Sequence, residues 1–144
     1  MSLISNKKAY FNYEILETYT VGIELLGYEV KSLKNSQASL EGAHVTVRGG
    51  EAYVTGMHIS PYQPKNTPKS YDQTRSRRLL FHKKEIARLI GKMREKGLTI
   101  VPLKMYSKSG KIKVEVGVVR SKKQHDKREV IKKRDAEREI RREV

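Results

Sequence analysis

Apolar positions recur at every second residue in several stretches of the chain, and at helical spacing in one. Tyr13, Ile15 and Leu16 lead to Tyr19 and Val21 in a run rich in aromatic and branched residues, which predicts a strand. In 22–35, punctuated by Gly22 and Gly27, Tyr28, Val30 and Ser32 alternate with Glu29, Lys31 and Leu33, and this reads as a second strand with a charged, accessible face. The sharpest hairpin signal is 43–60, where two β-rich runs flank Gly49 and Gly50, a pair suited to the positive φ angles of a primed turn. Residues 1–6 predict a mobile lead-in.

Periodicity stops in 61–77, which holds three of the four prolines and ends in Arg75 and Arg77, so it predicts a loop. Ile86, Leu89, Ile90 and Met93 then recur at i, i+3, i+4 and i+7, predicting a helix from Lys83, with Gly97 as its stop. A second hairpin follows. Ile112, Val114, Val116 and Val118 share one face of its second strand, opposite Lys111, Lys113 and Glu115, and Pro102 marks an edge or a bulge in its first.

From Arg120 the pattern dissolves. Residues 120–144 hold 11 Lys or Arg and 6 Asp or Glu with five apolar residues, too few for a core. The expected organisation is one β-rich body over 1–119 and a basic tail over 120–144, disordered or partly helical until it meets a partner.

Charge changes the picture from fold to partner. The 144 residues carry 31 Lys and Arg against 16 Asp and Glu, a net +15. The tail accounts for +5, so the body is basic in its own right. Such a field attracts polyanions, and each neutralised phosphate releases counterions. The longest apolar runs fall far below the ~18 residues of a membrane span. The first residues lack a secretory pattern, so a cytoplasmic address and no membrane partner are expected.

Candidate chemistry is sparse. There is no Cys, which removes disulfides and cysteine-based zinc sites. The four histidines fall in separate segments without ligand spacing, so neither metal nor cofactor is expected. His58, His82 and Lys83 are residue types that a ribonuclease uses, but basic RNA binders contain them too, and no nucleotide-hydrolysis or acyl-transfer motif is present. The reading is therefore a binder and not an enzyme. Eight Tyr among the cations suit RNA, because a phenol both stacks on a base and hydrogen-bonds. Tyr10 and Phe11, beside Lys7 and Lys8, are the best placed, with Phe11 equally suited to the core. Tyr53 and Tyr106 read as structural, and Tyr62 and Tyr71 suit either role. Glu29 repels phosphate, so it either accepts hydrogen bonds from a base or ribose or makes an ion pair with Lys31 or a neighbouring strand. Its chemistry alone favours the ion pair.

Five segments, NKKAYFNYEI at 6–15, GYEVKSLK at 27–34, RRLLFHKKEI at 77–86, GLTIVPLKMY at 97–106 and KKQHDKR at 122–128, together resemble the SsrA-binding protein family, in family order and with matching gaps. The resemblance implies a mainly β fold, a small OB-type β-barrel with flanking helices and a basic C-terminal tail. It implies an adaptor of trans-translation that binds the tRNA-like domain of transfer-messenger RNA and delivers it to the small-subunit decoding site and messenger channel of stalled ribosomes.

Carried over residue by residue, the family's RNA surface falls on Glu29, Leu80, His82 and Lys83, which turns the expectation for Glu29 from an ion pair to RNA contact. Lys7, Lys8, Lys31, Arg78 and Lys83 are then the expected phosphate contacts. Lys122, Lys123, His125, Asp126, Lys127 and Arg128 match the tail motif for the decoding site, with His125 placed to stack on a ribosomal base. Ser121 stands where the family usually has Gly, a substitution that costs about 1 kcal/mol if the position takes positive φ.

Overall fold

The computed structural model describes residues 2–122. In chain order these form β1 (Ser2–Ser5), α1 (Lys7–Asn12), β2 (Tyr13–Ile23), α2 (Gly27–Lys34), β3 (Ala38–Ser39), β4 (His44–Arg48), β5 (Glu51–Thr55), β6 (His58–Ile59), a short 3-10 turn (Pro64–Asn66), β7 (Arg77–Leu80), α3 (Lys83–Met93), β8 (Leu98–Lys108) and β9 (Lys111–Ser121). Seven strands make one antiparallel sheet in the order β1-β8-β9-β2-β7-β5-β4, and β3 pairs separately with β6. The sheet curls until β4 returns to β8, giving a small barrel.

Two hairpins carry the barrel, and their turns follow from their sequences. Between β4 and β5 the chain reverses at Gly49 (φ 54°) and Gly50 (φ 78°), which sets Val45 opposite Val54 and Val47 opposite Ala52. Between β8 and β9 the same left-handed pair is Ser109 (φ 52°) and Gly110 (φ 77°). Val114, Val116 and Val118 of β9 point inward with Val21, Ile100 and Met105, and all are buried. Pro102 lies within an inner strand, and the register shifts between Pro102 and Lys104, so the bulge rather than an edge accommodates the missing N–H.

The lead-in is a strand: Ile4 of β1 pairs with Met105. Asn6 fixes it, because its side chain accepts from the Ala9 N–H at 3.2 Å and donates to the carbonyls of Leu40 and Pro102. That caps α1, whose Ala9 packs on Val101, Leu103 and Val119 in a second, smaller apolar cluster outside the barrel.

Residues 27–34 are a helix, not a strand. The buried positions of α2 are Glu29, Ser32 and Leu33, at i, i+3 and i+4, so a helical period is present but two of its three members are polar. α3 starts at Lys83 as expected and buries Ile86 and Leu89. It ends at Met93, four residues before Gly97, and leaves Met93 40% exposed. β9 runs to Ser121, two residues past the expected end of the body.

Candidate nucleic-acid interface

Four of the expected site residues follow one another through β7 into α3. In β7, Arg77 and Leu79 point inward and are fully buried, while Arg78 and Leu80 alternate outward. Leu80 is 45% exposed, unusual for a leucine in the middle of a sheet. Phe81 anchors the turn that follows, meeting the Tyr19 ring edge to face at 5.7 Å. His82 is the N-cap of α3, its backbone N–H donating to the Glu85 carboxylate at 2.9 Å, so that its imidazole and the Lys83 ammonium both face solvent.

α2 meets β7 here. Val30 of α2 and Leu80 of β7 line the same hollow of about 320 Å³, so the two family motifs that are separate in sequence converge. Beside it a second hollow of about 430 Å³ is lined by Leu26, Arg78 and Tyr53, and Leu25 borders both. Lys31 is exposed on the outer side of α2, its ammonium 5.9 Å from the centre of the Tyr62 ring.

Glu29 is not on this surface. Its side chain has no solvent exposure, and its carboxylate accepts from the Leu26 N–H (2.8 Å), the Tyr71 hydroxyl (2.9 Å), Arg75 and Arg77 Nε (2.8 Å). Burial by itself opposes the charge, yet the hydrogen bonds from Arg75, the Leu26 N–H and Arg77 outweigh it and hold the carboxyl below its ordinary 4.5. Arg77, equally buried, also donates to the carbonyls of Met57, Gln73 and Arg75. The Glu29 carboxylate, which the resemblance assigns to RNA contact, is thus enclosed within the protein here. It ties α2 to the Pro-rich loop, and Tyr28 packing edge to face on Tyr71 at 5.1 Å completes the junction.

Tyr71, Arg75 and Arg77 therefore matter to the site, although the sequence leaves Tyr71 between two roles and gives the two arginines only as a basic loop end. The basic approach to Leu79 was visible, but nothing in a single sequence tells a buried arginine from an exposed one. Arg78 also differs from a bare phosphate contact. Its guanidinium is divided between Glu51 (3.0 Å) and Glu24 (2.7 Å), and the hydrogen bonds it donates to Glu51 and Glu24 raise its pKa further. It bridges β5 to the end of β2 at the surface.

The structure separates Lys7 and Lys8 from this group. They lie on α1, where Lys8 pairs with Glu41 at 2.5 Å and helps line a hollow of about 460 Å³ with Asn12 and Thr99. Tyr13, which follows α1, and Gly22, which pairs with Leu80, are nine residues apart on β2, up to about 30 Å along the strand. Lys122 is on the α1 side: its N–H donates to the Asn12 carbonyl at 2.9 Å and its ammonium to the Tyr10 carbonyl at 3.3 Å. Ser121 pairs with Tyr13 without positive φ, so it is unstrained here. Lys123, His125, Asp126, Lys127 and Arg128 lie outside the described residues.

Among the described residues no group of three His, Asp or Glu side chains is placed to hold a metal ion, and no helix is long and apolar enough to cross a membrane.

Comparison with known proteins agrees with this architecture. A family model described as SmpB protein matches residues 3–144. An SsrA-binding protein of Thermosynechococcus vestitus is 48% identical over 140 residues, covering 97% of this chain and 92% of the relative. One from Mycoplasma mycoides is 47% identical over 136 residues, covering 94% and 92%. A solved chain described as "tmRNA-SmpB: a journey to the center of the bacterial ribosome" superposes with a TM-score of 0.71 at 41% identity, covering 91% of this chain and 95% of its own.

Proposed function

The chain belongs to the SmpB protein family, and on that premise we propose how its parts divide the work of an RNA-binding adaptor of trans-translation, which binds transfer-messenger RNA and brings it to stalled ribosomes. The observation that carries the division is the spatial separation of its cations. Leu80, His82 and Lys83 follow one another from β7 into α3, with Lys31 exposed on α2, whereas Lys7, Lys8 and Lys122 gather where the chain leaves the barrel.

The first group, with Arg78 behind it, faces the tRNA-like domain. Its mixture of an exposed leucine, an imidazole and lysines suits base edges and riboses as well as phosphates. Glu29 serves that surface by fixing α2 against the loop. The second group sits at the root of the tail, and the tail's Lys122, Lys123, His125, Asp126, Lys127 and Arg128 engage the decoding site and messenger channel. No step of this role needs bond chemistry by the protein, so it acts as an adaptor and not as an enzyme, in the cytoplasm where ribosomes work.

The test is a gel-shift competition with the full-length protein. An isolated tRNA-like domain should outcompete an elongator tRNA at two salt concentrations, and the preference should persist as the shared electrostatic contribution weakens. Equal displacement by both RNAs would reduce the protein to a general RNA binder.

A further inference from the structure

The strand register places Leu80, Gly22, Lys113 and Tyr106 in one row across β7, β2, β9 and β8. Directly paired residues share a face, and Leu80 and Lys113 both alternate with inward neighbours, so this row lies on the outside of the barrel. Gly22 contributes no side chain to it. The Leu80 side chain leans into that gap, its Cδ1 only 3.0 Å from where a Cβ on Gly22 would stand. The result is a notch between Leu80 and Lys113 that opens into the barrel mouth.

The notch is the 320 Å³ hollow already described. Its floor is aliphatic, formed by Ile23, Leu25, Val30, Leu80 and Ile112, and its rim carries Lys111 and Lys113. Neither lysine has an ion-pair partner among the described residues. Being two positions apart on β9, they point the same way with about 7 Å between them. That is close to the spacing of successive phosphates along an extended nucleic-acid strand.

Resting on the reading of α2 and β7 as the RNA-binding surface, we infer that this notch is a site for one unstacked nucleobase of the bound RNA, with Lys111 and Lys113 holding the phosphates on either side. The floor offers aliphatic faces to a flat ring, and the hollow holds a base with its ribose. An apolar peptide side chain fits the floor equally well but leaves two unpaired ammonium groups at the rim. An RNA loop satisfies both parts. The hairpin tip thereby joins the interface, although the family motifs of the sequence did not include it.

Full-length protein and two variants, Gly22→Val and Lys111→Ala/Lys113→Ala, are titrated with the isolated tRNA-like domain. A valine adopts the extended backbone at Gly22 and fills the notch, pushing the end of the Leu80 side chain aside. It should weaken binding about ten-fold or more, as loss of one stacked base does, with the salt dependence unchanged. The lysine pair should instead lower the slope of log affinity against log salt by about 1.5. Wild-type affinity and slope in both variants would overturn the inference, even where preference for the tRNA-like domain is confirmed.

A second measurement does not depend on the folding of Gly22→Val or on the identity of the RNA. Wild-type protein is photo-crosslinked to a short single-stranded oligonucleotide carrying 4-thiouridine and to a 4-thiouridine-labelled tRNA-like domain. Crosslinks to peptides containing Leu80 or 111–113 support the notch. Crosslinks confined to α1 or the tail overturn it.

Discussion

Glu29 and Arg77 form an ion pair from which solvent is wholly excluded, with Arg77 Nε 2.8 Å from Glu29 Oε2. The pair joins α2 to β7, forty-eight residues later in the chain. Removing one partner leaves the other charged and buried, which typically costs about 3 to 5 kcal/mol. Glu29→Met should therefore lower the denaturation midpoint sharply, and Arg77→Met should be tolerated better in combination with it than alone. Urea unfolding of the two single variants and the double variant checks this. Additive losses would show that the two charges do not depend on each other.

The same network gives the protein a pH signature at both ends of the scale. Glu29 has a folded pKa below its ordinary 4.5, so its contribution is present above that value and is lost as pH falls from 4.5 through the lower folded value. Burial, and then the neighbouring Glu29 carboxylate, push the Tyr71 phenol up to about 12 from 10.0, so the protonated hydroxyl stabilises the fold below pH 10 and that contribution disappears as pH rises to about 12. Thermal midpoints across pH should fall in both windows. In Tyr71→Phe the alkaline component should vanish, and the missing step in the ultraviolet phenolate titration should centre near pH 12.

How much of this was legible in the sequence depended on whether buried positions were apolar. The barrel hairpins were readable because Gly49-Gly50 forces the turn and because Val114, Val116 and Val118 alternate cleanly with charged residues. α2 reads as a strand in the sequence because Tyr28 and Val30 mimic period two while its buried stripe is Glu29, Ser32 and Leu33. Nor does α1 announce itself, since only Ala9 of its six residues is buried. The candidate site shows the same limit. Leu80, His82 and Lys83 stood out by motif, but Tyr71, Arg75 and Arg77 act through a carboxylate more than forty positions away. Ion-pair chemistry pointed in the right direction for Glu29, and of its two expected partners, Lys31 and a neighbouring strand, the second is the one observed, through Arg77 of β7.

Gly117 tests the packing of α1 on the barrel's outer face. A Cβ there would stand 2.7 Å from Leu103 Cδ1 and 3.2 Å from Val119 Cγ1. Leu103 is itself fully buried against Ala9 and cannot simply swing aside. Gly117→Ala should destabilise by about 1 to 3 kcal/mol despite the better strand propensity of alanine. Chemical denaturation measures it, and a neutral result would mean that α1 moves to make room.

Ser109 offers a change in the opposite direction. It holds φ 52° beside Gly110 in the β8–β9 turn, a conformation that asparagine adopts more readily. Ser109→Asn creates the Asn-Gly pair preferred in such turns and should stabilise by roughly 0.5 to 1 kcal/mol. The rise should appear in the thermal midpoint.

The point at which the tail can be cut follows from β9. Removing everything after Val119 discards Arg120, whose guanidinium reaches Glu14 at 2.7 Å, Ser121, paired with Tyr13, and Lys122, bonded to Asn12. Those are exposed strand-end contacts, so their loss should lower the thermal midpoint only slightly. Cutting after Lys122 keeps them all. The longer form should match the full chain in thermal midpoint and in affinity for the tRNA-like domain, yet fail to support peptide tagging on stalled ribosomes. The shorter form should fail in tagging and melt earlier as well. Comparable tagging by the full chain and by the form ending at Lys122 would remove the tail from the mechanism and leave the barrel to act alone.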